Sequence, residues 1–490
     1  MKQILITTSV ALAMLNPCAA AASAVWITNV MLVSPEKLDR VEPGSVLVRD
    51  GRIVSVNRGG RQVKPAGALK VDGKGYFLSP GLIDSHVHLH GVPGMSPEMS
   101  KEKRGMADEY FRQLPRSFLY YGYTTVIDVA LADRAVIDTF NAAPLHPDVV
   151  HCGEPLVLAN GYPMSYFKPS ERFEKFPNFI YDPAQAATIP ARYRAQDYSV
   201  EAGVARVKSG GGVCVKTHYE LGYGKESKLP VMSSAMFGEV RKAASAQGLV
   251  LVTHANTFEA QQFAVAGKVD VIAHGLWKWG RFEKQTELPA EITAMLDKVV
   301  AQGTGFQPTM QVLYGLRAYF DPAYLANPAV RKVVPASMAA WFDTPEGKWF
   351  KAELAEEEAD IDVLKGFEQP LRRARLVLAY LAAKDANILL ATDTPSGPTY
   401  GNLPGLNGYL EMQRMHEAGL SLAQVFKAAT INNARTFKID KQVGTIEAGK
   451  VANLVLMTKS PLLDIAAYDS IETVWVRGKQ VARATLAANN

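Results

Sequence analysis

The chain has 490 residues, 48% hydrophobic and 21% charged, with 3 Cys and a formal net charge of +5. Apolar content that high excludes a wholly disordered polymer, and three Cys in such a length exclude a disulfide scaffold. The basic excess is spread without a Lys/Arg block, which argues against nucleic acid as a partner.

Residues 1–24 read as a leader. Lys2 gives the positive start, Ile4 to Leu15 an apolar stretch, and Ala22-Ser23-Ala24 a small-residue cleavage pattern. The stretch is too short to cross a hydrocarbon layer of roughly 30 Å, and no later segment is apolar enough to span one. Export, secreted or periplasmic after cleavage near Ala24, is therefore expected. Pro17 beside Cys18 argues against a lipid anchor. Cys152 and Cys214 remain; an oxidising compartment permits a bridge between them, but two buried free thiols are the expectation.

From residue 25 to 80 the chain reads as short strands joined by turns, with Asp50-Gly51 and Asp72-Gly73 as hairpin dipeptides. Residues 438–490 resume that style in GTIEAGKVANLVLMT and IETVWVRGKQVA. Neither piece is large enough for its own core, so a small β-sandwich domain built from both chain ends is expected. Between them, over residues 81–437, apolar runs of about five residues alternate with helical stretches such as Ser233 to Gln247 and Thr257 to Val265. The runs are GLIDSHVHL, TTVIDVA, DVVHCG, GVCVKTHY, LVLVTHAN, VDVIAHG, TGFQPTM and NILLATD. Eight such units predict an α/β fold, a (β/α)8 TIM barrel, with the excess length in loops. The enlarged loops are 160–196, rich in Pro, Phe and Tyr, and 314–371, which carries the charged run GKWFKAELAEEEADID. The charge run reads as a solvated helix face. The aromatic loops suit either a lid over the barrel mouth or a contact in a homo-oligomer, and the sequence favours neither.

Polar residues able to bind metal fall at the ends of these apolar runs. His86 and His88 lie two apart in an extended segment and so face one way. His254 ends LVLVTH, His274 ends VDVIAH, Asp393 ends ILLATD, and Lys216 interrupts a strand expected to be buried. In a parallel barrel such ends gather at the C-terminal face. Singly each has an ordinary explanation, a satisfied core His, an N-cap Asp or a snorkelling Lys; together they point to one site.

The arrangement resembles the amidohydrolase superfamily, in its imidazolonepropionase-like and prolidase-like branch. The likeness runs from YFLSPGLIDSHVHLH through GGVCVK and VTHANTFEAQQFAVAGKVDVIAHGL to KAATINNARTFKI and GTIEAGKVANLVLM. The resemblance implies a binuclear hydrolase of a C–N bond in a small-molecule amide, dipeptide or cyclic amide. His86, His88 and Asp393 would hold one divalent ion and His254 and His274 a second, with Lys216 bridging as a carbamate. Zn²⁺ suits nitrogen and carboxylate donors, with Mn, Fe or Co as alternatives. Asp393 would be the proton shuttle. Where prolidase-like relatives often carry Gly-Gly-His, this chain has Ala159-Asn160-Gly161-Tyr162, and it lacks the Glu three residues after His254 that deaminases use. Tyr162, His218 and Tyr219 are candidates for substrate contact. Two rivals stand beside amide hydrolysis: lactone, ester or phosphotriester hydrolysis at the same site, and metal-dependent ligand binding without turnover.

Overall fold

The computed structural model of the protein describes residues 24–59, 63–131, 133–222, 228–355 and 359–488. The expected leader, but for Ala24, lies outside them. No helix among the described residues is long and apolar enough to cross a membrane.

The two chain ends meet in one eight-stranded sheet. Strands Val25–Ser34, Lys37–Arg49, Arg52–Arg58, Leu69–Asp72 and Phe77–Pro80 join Leu454–Met457, Ile471–Val476 and Lys479–Ala482. The link is antiparallel pairing of Phe77–Pro80 with Leu454–Met457. Asp50 and Gly51 both take positive φ, 51° and 75°, which suits a two-residue turn matched to the strand twist. Ile27, Leu32, Leu78, Leu454, Leu456 and Trp475 bury together as this sheet's own core. The strands are hydrogen-bonded into one continuous sheet because Val25–Ser34 is paired on both edges. Of GTIEAGKVANLVLMT only Leu454–Met457 is strand.

The central region carries seven parallel strands, labelled here β1 Leu82–Val87, β2 Tyr123–Asp128, β3 Asp148–His151, β4 Cys214–His218, β5 Val250–His254, β6 Val271–Ala273 and β7 Gly305–Gln307. They form a sheet of β1–β3 and a sheet of β4–β7. All but β3, which is half-buried over its first three residues, are buried on both faces, the setting in which parallel strands read as apolar runs. Helices Ser234–Ala246 and Phe258–Ala266 fill two of the crossovers, with Ser233 and Thr257 accepting from the first-turn N–H groups as N-caps.

The expected eighth strand, NILLATD, does not form a ladder. It makes a single bridge to β7 (Phe306 with Ile388), and Thr394, just past its end, makes another to β1 (Val87). Asp393 adopts φ 56°, a left-handed conformation, while its N–H donates to His86 O and Thr394 O accepts from His88 N–H. At the opposite seam, Val213 N–H donates to His151 O and Leu156 N–H to Lys216 O. There the free-thiol expectation fails: Cys152 and Cys214 form a disulfide. The end of β3 and the start of β4 lie side by side across the seam, a proximity that 62 residues of sequence separation do not reveal.

Residues 160–196, with Tyr198 just beyond, hold an aromatic cluster in which Phe179 packs against Phe173, Tyr193 and Tyr198. Of the charged run, residues 356–358 lie outside the described residues; on either side stand helices Trp349–Ala355 and Asp360–Gly366, joined by a 2.5 Å ion pair of Lys351 with Asp360. Trp349 donates its indole N–H to Gly94 O, tying this segment to the loop after β1.

Candidate metal centre

Strand alternation and register aim the predicted residues. On β1, His86 points into the interior and His88 follows two residues on. The parallel register pairs Thr217 with Thr253 and His218 with His254, so Lys216, His218 and His254 share one face. His274 follows β6 with φ 81° and Asp393 sits at 56°. Two non-glycine residues in left-handed backbone are costly, and both deliver a side chain to the same place.

There the groups converge. Asp393 Oδ1 lies 3.0 Å from His86 Nε2 and 2.8 Å from His88 Nε2, and Oδ2 is 3.9 Å from His274 Nδ1. Donor atoms of His86, His274 and Asp393 all fall within 4.8 Å of one another. The imidazoles form a continuous arc, with ring centroids 5.0 Å apart for His86 and His274, 4.5 Å for His274 and His254, and 5.6 Å for His254 and His218. Lys216 is 2% exposed. Its charge is felt by His86, His218, His254 and His274.

Burial sets the protonation states. It pulls the Lys216 ammonium down to about 8, with Asp393 acting the other way. It also pulls His86, His254 and His274 below the usual imidazole range, so these rings are neutral at pH 7 and offer lone pairs. For Asp393 burial raises the carboxyl pKa, but His86 and His274 outweigh it and hold the group well below the ordinary carboxylate range. Neutral imidazoles, one carboxylate and a buried amine make a nitrogen and oxygen donor set that fits a divalent ion such as Zn²⁺.

Side-chain partners orient the rings. His86 Nδ1 lies 3.0 Å from Gln307 Oε1, and Gln307 donates its amide N–H groups to Ser85 O and Oγ. The Gln307 oxygen is thus the acceptor and His86 Nδ1 the donor, which leaves Nε2 facing Asp393. His274 Nδ1 lies 3.2 Å from Thr309 Oγ1, and His254 Nε2 lies 3.4 Å from Glu220. Gln307, Thr309 and Glu220 were not singled out in the sequence. Gln307 and Thr309 alternate at the end of TGFQPTM as polar residues in a buried run, a pattern too commonplace at strand ends to mark a site.

Of the substrate-contact candidates, Tyr162 stands at the arc, its ring 4.9 Å from His254 and 5.5 Å from His218. His218 continues the arc, with its buried Nδ1 unpaired among the described residues. Tyr219 lies elsewhere: its hydroxyl donates to Glu259 and its ring packs on Phe263, on the helix after β5. His90 is exposed, 6.0 Å from His88. His146 and His416 donate to backbone carbonyls and His151 accepts from Gly153 N–H, all structural roles.

Comparison with known proteins follows the same line. Residues 355–481 match the model of the amidohydrolase family. A dihydroorotase of Methanothermobacter thermautotrophicus is 34% identical over 93 residues, 19% of this chain and 18% of that protein. An imidazolonepropionase of Stenotrophomonas maltophilia is 33% identical over 82 residues, 16% of this chain and 20% of the relative. The matched segments thus span about a fifth of those relatives. A solved amidohydrolase structure superposes with a TM-score of 0.67 at 18% identity, covering 94% of this chain and 99% of the other. A Xaa-Pro dipeptidase with bound methionine gives 0.64 at 18% identity, covering 94% and 100%. At that identity the two structures speak for the fold alone, an α/β barrel of the TIM type.

Proposed function

We propose that this chain, a member of the amidohydrolase family, is an exported binuclear metal-dependent hydrolase of a carbon–nitrogen bond in an amide, a dipeptide or a cyclic amide. The observation that carries the reading is the convergence of His86, His88 and His274 on the Asp393 carboxylate, with Lys216 and His254 beside them. In this reading His86, His88 and Asp393 hold one ion, His254 and His274 the other, and Lys216 joins them as a carbamate. An ammonium beside two dications would be repelled, whereas a carbamate is anionic and offers two oxygens. Zn²⁺ is the ion the donors suit best. The barrel is taken as residues 81–437 and the terminal domain as 25–80 with 438–490.

A bound pair of divalent ions supplies activation of water at neutral pH and polarisation of the scissile carbonyl. The chain's own residues do the rest. Asp393, held ionised, takes the proton of the attacking water and passes it to the leaving nitrogen. Gln307 keeps His86 in one tautomer, and Thr309 orients the His274 ring. Tyr162 and His218, at the edge of the arc, contact the substrate.

Assaying the purified full chain against amides, dipeptides, lactones and phosphotriesters, with and without a chelator, tests this. Hydrolysis of C–N substrates that a chelator abolishes and Zn²⁺ restores is expected. Turnover of esters or P–O substrates alone would overturn the bond class; insensitivity to chelation would overturn the metal reading; silence across the panel would favour a binding protein.

A further inference from the structure

Strand β7 supplies none of the six proposed ligands, yet it touches two of them. Gln307, its last residue, holds His86 at Nδ1, and Thr309, two residues on, holds His274 at Nδ1. Thr309 is in an unusual state. It is a β-branched residue at φ 41°, and it occupies the N-cap of helix Met310–Arg317 without capping it. A Thr at that position ordinarily accepts from its own helix's first N–H groups. Here those donors are taken by Glu411, from the helix Leu406–Glu417: Met310 N–H reaches Oε1 at 3.0 Å and Gln311 N–H reaches Oε2 at 2.6 Å. Glu411 is fully buried. Its carboxyl group, whose pKa burial pushes up to about 8, does the work of the cap and leaves the Thr309 hydroxyl for His274.

We infer that Thr309 is a positioning residue for the second metal ion, fixing His274 with Nε2 toward the ion, and that Glu411 frees the Thr309 hydroxyl for this task by capping the helix in its place. The inference rests on the binuclear reading above. A His ligand whose other nitrogen is held by a hydrogen-bond partner presents one ring orientation, which raises its affinity for the ion.

The test is zinc affinity of the full chain, measured by competition with a chromophoric chelator. The unaltered chain is expected to bind two ions. Thr309→Val keeps the branched shape and removes the acceptor, and is expected to weaken one of the two ions by about 10–100-fold while leaving the other unchanged. Thr309→Ser restores the hydroxyl and is expected to restore the affinity. Glu411→Gln, with one acceptor oxygen for two N–H groups, is expected to weaken the same ion. Two tightly bound ions in Thr309→Val, or equal losses in the Val and Ser variants, would overturn the inference and leave the binuclear reading standing. No zinc binding by the unaltered chain would instead remove that reading itself.

Discussion

Asp393→Asn is expected to fold as the unaltered chain does and to lose about 10²–10⁴-fold in kcat, the range for removing a positioned acid–base group. Asn has the same shape. The backbone N–H of residue 393, which donates to His86 O at 2.8 Å, is untouched. What the substitution removes is the negative charge and the ability to take a proton, at a carboxyl that the surrounding imidazoles keep ionised despite its burial. Proton transfer belongs to the transition state, so kcat and kcat/KM should fall together with KM little changed. Because Asp393 is also a proposed ligand, the variant is to be assayed with saturating zinc and its metal content measured. Unaltered kcat in a zinc-loaded variant would show that another group moves the proton.

Lys216→Met is expected to abolish turnover, by about 10³-fold or more, since losing about 4 kcal/mol of transition-state stabilisation corresponds to three factors of ten. Met matches Lys in length and suits a position that is 2% exposed, so the fold should survive. The metal-free variant should be more stable than the metal-free parent near neutral pH. Burial lowers the Lys216 pKa from 10.5 to about 8, so the unfolded chain binds the proton more tightly than the folded one. That cost is present below about pH 8 and disappears as pH rises toward 10.5. The same shift gives activation a pH dependence. Only the neutral amine reacts with carbon dioxide, forming an N–C bond and releasing a proton. Loading of metal-free protein with zinc and bicarbonate should therefore rise through about pH 8 and level off above it. Activation independent of pH between 6.5 and 9.5, or full activity in Lys216→Met, would contradict the bridging role.

Why most of the site was legible lies in its residue types. His86, His254, His274, Lys216 and Asp393 each end or interrupt an apolar run; each alone has an ordinary explanation, and it is their recurrence in one chain that points to a shared site. Strand alternation then gives their facing, and it separates His218, two residues from Lys216, from Tyr219, which faces the neighbouring helix. Gln307 and Thr309 sit in the same pattern, but an amide and a hydroxyl are commonplace at strand ends and signal nothing without their partners. Glu411 is about a hundred residues from the N–H groups it caps, beyond any local signal. The seam was illegible for another reason. NILLATD has the composition of a strand, and nothing in its own residues shows that it meets its two neighbours only at isolated bridges.

The account depends on six side chains surrounding two ions, and diffraction at the zinc absorption edge from crystals of the full chain grown with zinc and bicarbonate tests that most directly. It predicts two anomalous peaks about 3.5–4 Å apart inside the histidine arc, with density extending from Lys216 Nζ between them. A single peak, no peak, or a Lys216 side chain turned away from Asp393 would contradict it.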